Sequence, residues 1–410
     1  MTTALALAAP ELLLARLCRP RPVADPYPLY EQLRAAGPVV ALDGEDSPVA
    51  VVTGYAECAK ALRDNRFAAL GPDYHDTRDP AWRAHPYSRA AFGSLLLRDG
   101  ALHAARRGVV SRFFTPRRVA GLRDGLVEML EPVLDRMAAR ADADGAVDLH
   151  AELAMPFAAR VLCRLLGVPD EEADALAPLM RDMSAVYEFA LTETQWRRAL
   201  DAGAAAGERL RRLAAQRRAR PGDDVVSALV AAHGPDDEVL AGELALLMAA
   251  GFDSPASLTG LGLRLLLAHP DQAAALREDP ALGAAATEEV LRADPPVQVL
   301  PRIITDPVEL GERGLAPGTL VLLVTAAANR DPSVVAAPER FDIRRTQPAG
   351  LGFGGGIHYC LGAAVGRLQG EVLFPRVLRR FPRLALAAPP AFRAPGTIFR
   401  GVDRMPVRLY

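Results

Sequence analysis

One 3.6-residue apolar periodicity runs from Glu238 to Ala268, a span of 31 residues. At 1.5 Å per residue such a helix is roughly 46 Å long, enough to cross the whole molecule. Other helices must pack around it, and the sequence supplies them. Val119 to Ala141, Leu149 to Leu166, Glu171 to Ala190 and Thr192 to Arg218 share the period, and the pattern from Leu102 to about Ala293 is overwhelmingly helical. Leu29 to Ala36 and Tyr55 to Asp64 also read as helices. Strand-like runs are short: Val39 to Leu42, Val49 to Val52, Val308 to Leu310, Leu320 to Thr325 and Val407 to Tyr410. The first two are separated by the turn residues Asp43-Gly44-Glu45-Asp46. Asp73 to Gly93 mixes Tyr74, Trp82, Tyr87 and Phe92 with proline, histidine and arginine, and reads as a long functional loop. No internal repeat or low-complexity linker interrupts the chain. The expectation is a mainly α, helix-rich single domain with small β-sheets over residues 25–410, preceded by an irregular arm at 1–24.

Composition narrows the function classes. Of 410 residues, 50% are hydrophobic and 24% charged, which is ample for a core. A net charge of -2 implies no global attraction to nucleic acid or to anionic membranes. Lys60 is the only lysine, so positive charge is nearly all arginine. The cysteines, Cys18, Cys58, Cys163 and Cys360, form no C-x-x-C pair, which argues against a zinc site, a dithiol redox motif or covalent haem attachment. Cys163 lies in an apolar helical run and reads as a small core residue. The apolar run Ala4 to Cys18 contains Pro10, Glu11 and Arg16 and falls short of the ~20 residues that span a bilayer. It also lacks a basic n-region, so the expectation is a cytoplasmic protein without a membrane anchor. Gly260-x-Gly262 lacks a third glycine and lies mid-helix, and no phosphate-binding, flavin or iron–sulfur motif is present.

The chemistry concentrates in Phe353-Gly354-Gly355-Gly356-Ile357-His358-Tyr359-Cys360-Leu361-Gly362, followed by a helical run from Leu361 to Phe374. A thiolate at a helix N-terminus is stabilised by the dipole and by unsatisfied backbone N–H groups. Glycines ahead of it allow tight folding and close approach of a flat ligand. The pattern Phe-Gly-x-Gly-x-His-x-Cys-x-Gly resembles the cysteine-ligand loop of the cytochrome P-450 family of haem-thiolate monooxygenases. That resemblance implies the family fold, with the long helix over a haem b whose iron takes Cys360 as axial ligand, and O2 as co-substrate. Phe353, Gly354 and Gly362 would border the cofactor.

Further segments fit in order. Glu289-Val290-Leu291-Arg292 resembles the family's Glu-x-x-Arg helix, and Pro338-Glu339-Arg340-Phe341 its downstream Pro-Glu-Arg-Phe motif. The resemblance implies that Glu289 pairs with Arg292 and Arg340 to brace the segment below the haem. His103 and Arg107, one turn apart, together with Arg302 and His358, would bind the haem propionates; arginine suits carboxylates through its bidentate fork. Ala249-Ala250-Gly251-Phe252-Asp253-Ser254-Pro255 resembles the oxygen-handling segment, with Asp253 and Ser254 as the proton-relaying acid and alcohol and Ala250 and Gly251 beside the haem. Serine replaces the usual threonine. Pro255 cannot donate a helical hydrogen bond, so the carbonyl of Gly251 should be freed and the helix kinked.

Electrons must come from separate proteins, which by resemblance are a ferredoxin and its reductase. Arg112, Arg117, Arg118, Arg367, Arg376, Arg379 and Arg380 flank the haem motifs and offer a basic docking face. The substrate pocket would draw on the 73–98 loop, the 171–200 helices, Val297, Gln298, Val299, Leu300, Ile398 and Phe399, with Gln298 as a polar anchor. Such a pocket fits a lipophilic metabolite. The leading expectation is O2-dependent hydroxylation or epoxidation of a small natural-product intermediate. The Ser-Pro departure keeps open oxidative phenol coupling or desaturation, including on a carrier-protein-bound substrate. A non-catalytic helper that merely keeps the fold is the third reading, set against an intact cysteine loop.

Overall fold

A computed structural model describes residues 15, 16, 18, 22–42, 48–233, 237–346, 350–394 and 396–410. Most of the arm expected at 1–24 and the turn at 43–46 lie outside the described residues. The helices that position the cavity are α1 (Gly100–Ser111), α2 (Met155–Leu166), α3 (Ala173–Met183), α4 (Glu193–Ala219), α5 (Asp237–Ala268), α6 (Gly283–Ala293) and α7 (Ala363–Arg380). Helix α5 is the long central element, continuous through Pro255. It is apolar nearly all round, which is the pattern of a helix enclosed by others. It packs against α2, α3, α4, α6 and α7. Contact with α7 is close because Gly262 has no side chain: a Cβ there would sit 2.3 Å from the Phe374 ring.

Two apolar clusters meet along α5. One joins α2, α3, α4 and the first half of α5 as far as Ala256. The other joins α6, α7, the helix Arg123–Asp144 and the later half of α5 from Leu258. The main sheet stands to one side, with β1 (Val39–Leu42), β2 (Val49–Val52), β3 (Phe67–Ala68), β4 (Leu300–Ile304) and β5 (Leu320–Leu323) in the order β1-β2-β5-β4-β3. Strands β2 and β5 are parallel and the other neighbours antiparallel. The β4–β5 register sets Arg302 opposite Val321.

The segment read as a long loop at 73–93 is instead folded into helices Pro72–Arg78 and Pro86–Gly93 around a 3₁₀ turn at Pro80–Ala84. Each begins with a proline at its first position, where the missing N–H costs nothing. Asp79 accepts from the Ala81 amide, and His85 Nδ1 accepts from that of Tyr87, capping the second and third pieces. The aromatic residues pack together and also border a cavity: His75 stacks on Phe92 with ring centres 3.9 Å apart, Trp82 is buried against both, and these three line the cavity together with Tyr74.

A buried carboxylate ties the ends of the chain together. Asp294, fully buried just beyond α6, accepts from Arg400 Nε (2.7 Å), Arg264 Nη2 (2.8 Å) and Tyr27 Oη (3.0 Å). Burial pushes its pKa up, but Arg400 and Arg264 outweigh burial and hold it below the ordinary aspartate value. Because the folded pKa is depressed, the stabilisation is present above the unfolded pKa of ~3.9 and is lost as pH falls through the folded pKa. Asp294→Ala should destabilise the protein by about 3–5 kcal/mol at neutral pH, since it strands the buried guanidinium of Arg400 and the part-buried one of Arg264. Denaturant melts at pH 7 check the size of the loss.

Candidate active site around Cys360

The cysteine loop is a tight hairpin ahead of α7. Gly354 N–H donates to the Leu351 carbonyl (2.9 Å) and Cys360 N–H to that of Phe353 (3.0 Å). Gly356 has a φ of 64°, and a Cβ there would lie 2.0 Å from the Leu62 carbonyl oxygen. Its glycine is therefore required by packing against the helix Tyr55–Ala61 and its C-terminal Leu62, not by a ligand. At Gly362 the opposite holds: a Cβ would meet nothing within 4 Å, and the residue borders a cavity.

Cys360 lines that cavity. Burial pushes its thiol pKa up, opposed by the Gly362 amide and by the Arg107 and Arg367 guanidinium groups. Arg107 Nη2 donates to the Tyr359 carbonyl (2.6 Å). Arg367 pairs with Glu288, donates to Tyr359 Oη (2.9 Å) and lies over the Phe353 ring at 4.6 Å.

The loop is braced from α6. Glu289 receives both Arg292 Nε (2.7 Å) and Nη2 (2.8 Å), the bidentate geometry that suits a buried pair. The second arginine is not Arg340. The Arg340 side chain is largely exposed and faces Asp342 at 3.6 Å, while its backbone carbonyl accepts from Arg292 (3.1 Å) and Arg345 (2.8 Å). Arg345 supplies the partner, with Nε 3.3 Å from Glu289. A turn after the Pro-Glu-Arg-Phe motif brings Arg345 back, and no spacing rule in the sequence marks it. Asn329 completes the brace: its carbonyl lies 3.4 Å from Arg292 Nη1, and its Oδ1 accepts from the Leu351 amide (2.6 Å) at the start of the cysteine loop.

His103, Arg107, Arg302 and His358 all border the same cavity as Cys360. Arg302 is buried on β4 and donates to the Pro301 carbonyl (2.7 Å). Among the described residues no carboxylate lies within ion-pair distance of it, and burial pushes its pKa down to about 10. A buried guanidinium without a counter-ion calls for an anionic ligand. His358 Nε2 lies 2.7 Å from Asp99 Oδ1, whose other oxygen accepts the Ala69 amide. The His103 ring nitrogens lie 3.0 and 3.1 Å from the carbonyls of Leu95 and Ile357. A cavity-facing cysteine between two cations, an unpaired buried arginine and an open glycine wall fit a thiolate-ligated group that carries carboxylates. Haem is such a group.

Across the cavity from Cys360, α5 presents Ala250, Gly251, Ser254 and Pro255. Asp253 is turned away. It is buried in an ion pair with Arg393, whose Nη2 also donates to Ser184 Oγ (3.0 Å); Asp253 Oδ2 is buried without a partner. The expected acid–alcohol pair is thus divided, with only the alcohol at the cavity wall. Of the expected substrate residues, Val297, Leu300, Ile398 and Phe399 line the cavity. Gln298 and Val299 do not. Gln298 is fully buried, accepting from Tyr30 Oη (3.0 Å) and donating to the Pro295 carbonyl (2.5 Å), and Val299 packs with Tyr27 and Tyr30. Tyr187 and Glu188, inside the 171–200 segment expected to contribute but not singled out by residue, line the wall beyond α3. The whole chamber measures about 790 Å³.

The brace yields a direct contrast. Arg345→Ala should lower the melting temperature and cost about 1–3 kcal/mol by leaving Glu289 under-paired. Arg340→Ala should leave the melting temperature unchanged, as for other exposed side chains. Thermal denaturation of the two variants side by side checks this.

Comparison with known proteins matches the geometry. The family model described as Cytochrome P450 matches residues 25–386. The chain is 36% identical over 396 residues to a vitamin D(3) 25-hydroxylase from Pseudonocardia autotrophica, covering 94% of each protein. It is also 36% identical to the cytochrome P450 monooxygenase PikC of Streptomyces venezuelae, covering 94% of this chain and 91% of that one. Among solved structures, P450BioI in complex with an acyl carrier protein superposes with a TM-score of 0.85 at 28% identity, covering 94% of this chain and 99% of that one. The chain therefore belongs to the cytochrome P450 family and is a haem-thiolate monooxygenase.

Proposed function

We propose that this enzyme hydroxylates or epoxidises a small lipophilic natural-product intermediate with electrons delivered by a ferredoxin and its reductase. One observation carries the reading: Cys360, the unpaired Arg302 and Ser254 face one chamber whose remaining walls are mostly apolar. Haem bound through a cysteine thiolate supplies dioxygen activation, with thiolate electron donation favouring O–O cleavage. Cys360 would hold its iron through the thiolate. Arg302 and Arg107, with His103 and His358 beside them, would hold its propionates. Phe353, Gly354 and Gly362 would border it on the side of the cysteine loop, and Ala250 and Gly251 on the side of α5. The apolar walls, among them Leu246, Leu247, Val297 and Phe399, would orient the substrate and exclude water. Ser254, which borders the chamber from α5, would donate a proton there through its Oγ. Relatives named as hydroxylases support the substrate class, and the neighbour bound to an acyl carrier protein supports a substrate presented on a carrier. We place the enzyme in the cytoplasm, with residues 25–410 acting as one domain.

The docking face for ferredoxin is narrower than the sequence implied. Arg118, Arg367, Arg376 and Arg380 are already paired with Asp223, Glu288, Glu131 and Asp135. Among the described residues, Arg112, Arg117 and Arg379 have no carboxylate at ion-pair distance, which makes them the cations available to an acidic partner.

The division of Asp253 from Ser254 favours a second reading, in which the enzyme removes hydrogen to couple phenols or desaturate without inserting oxygen. Turnover under ¹⁸O2 with a ferredoxin and its reductase separates the two. Hydroxylation or epoxidation puts the label in the product, and Ser254→Ala should slow product formation by about a hundredfold, the lower end of the range for removing one proton-transfer group. Unlabelled product, with Ser254→Ala fully active, would establish the second reading. Cys360→Ala should abolish the thiolate signature of the reduced carbon monoxide complex and all turnover.

A further inference from the structure

Glu188 stands at the wall of the chamber with no cation, among the described residues, at ion-pair distance. It follows the turn Ser184–Tyr187 between α3 and α4 and is buried among protein groups except where it borders the cavity. Its two oxygens each accept one backbone N–H, Oε2 from Ile398 (3.0 Å) and Oε1 from Phe399 (2.8 Å). Each oxygen keeps a second acceptor site. The two N–H groups alone would be served equally well by an uncharged amide, so they do not explain an acid. Among the described residues no cation lies within ion-pair distance of Glu188. The guanidinium of Arg393 is engaged by Asp253 and Ser184, and that of Arg400 by Asp294 and the carbonyls of Val23 and Ala24. Two buried carboxylates, Glu188 and Asp253, thus share a single arginine. A lone buried carboxylate is costly unless something neutralises it. Since Glu188 borders the cavity, a cation can reach it from the ligand side.

We propose that Glu188 anchors a positively charged nitrogen of the substrate, so that this chamber selects amine-bearing lipophilic molecules over neutral ones of the same shape. This rests on the reading of the chamber as the substrate site. The Ile398 and Phe399 amides fix the carboxylate in place, so its charge is oriented before the ligand arrives and little ordering remains to oppose binding. Arg393 acts on it only through space, its guanidinium being bonded to Asp253 and Ser184.

Calorimetric titration of the haem-loaded enzyme with octanoylcholine and with its uncharged isostere, 3,3-dimethylbutyl octanoate, tests the proposal. A quaternary nitrogen cannot ligate iron, so the comparison reports the chamber alone. The wild type should bind the cation at least about tenfold more tightly, and Glu188→Gln should remove that preference while holding the neutral ester within about twofold. Equal affinity of the wild type for both ligands would overturn the proposal. So would an equal loss for both ligands in Glu188→Gln, the behaviour of a residue that only clamps the 398–399 backbone. If the variant does not load haem, the wild-type ratio alone decides. Binding of the neutral ester without cation preference would leave the lipophilic chamber standing and remove only the role of Glu188. Binding of neither ligand would remove both.

Discussion

The cysteine loop can face the cavity only because its backbone is held from behind. A sulfur at the head of a helix, in a loop with two glycines at positive φ, has little local reason to stay in one conformation. The hold comes from Glu289. It binds Arg292 and Arg345 by their side chains and Asp342 through its amide (2.8 Å), while Arg292 reaches the carbonyls of Pro338, Arg340 and Asn329. Asn329 then passes the connection to Leu351, nine residues before Cys360. A buried network of this kind is stabilising only when every member is satisfied, because each unpaired group would cost more than a surface ion pair returns. Its function is positional: it fixes where the thiol stands relative to α5.

Helix α5 does the complementary work on the other side. Its apolar surface is shared between two core clusters that meet near Ala256 and Leu258, so the helix cannot shift without unpacking both. That rigidity decides which residues reach the chamber. Successive positions on a helix point about 100° apart, so Ser254 can border the cavity while Asp253 is committed to Arg393. Among the described residues, Arg302 has no anion and Glu188 no cation at ion-pair distance, on walls of one cavity.

Where local pattern and packing agree, sequence reading located the elements closely. The strands Val39–Leu42 and Val49–Val52 lie where the short strand-like runs place them, and the helix Glu193–Ala219 where the 3.6-residue period does. It failed where a residue type has two uses. Asp73 to Gly93 reads as a loop from its mixed aromatic, proline, histidine and arginine content, yet Pro72, Pro80 and Pro86 each open a helical turn, and Tyr87 and Phe92 are buried in packing. Arg340 carried the motif, yet Arg345 carries the ion pair, because the chain turns back after Phe341 and only the folded path decides which guanidinium arrives.

By itself the sequence determined the helix-rich class, the long central helix, the thiol at the head of α7 and the family, because periodicity and a dense glycine–cysteine motif are properties of neighbours in the chain. Tertiary structure alone decided which side chains share the chamber. Gln298 was withdrawn to a buried bond with Tyr30, Asp253 to Arg393, and Glu188 was brought to the wall between elements far apart in the chain. Those outcomes depend on which groups meet across long separations and which charges are left without partners. Neither can be read from local pattern, since a charge is paired or stranded only by what the folded chain sets beside it.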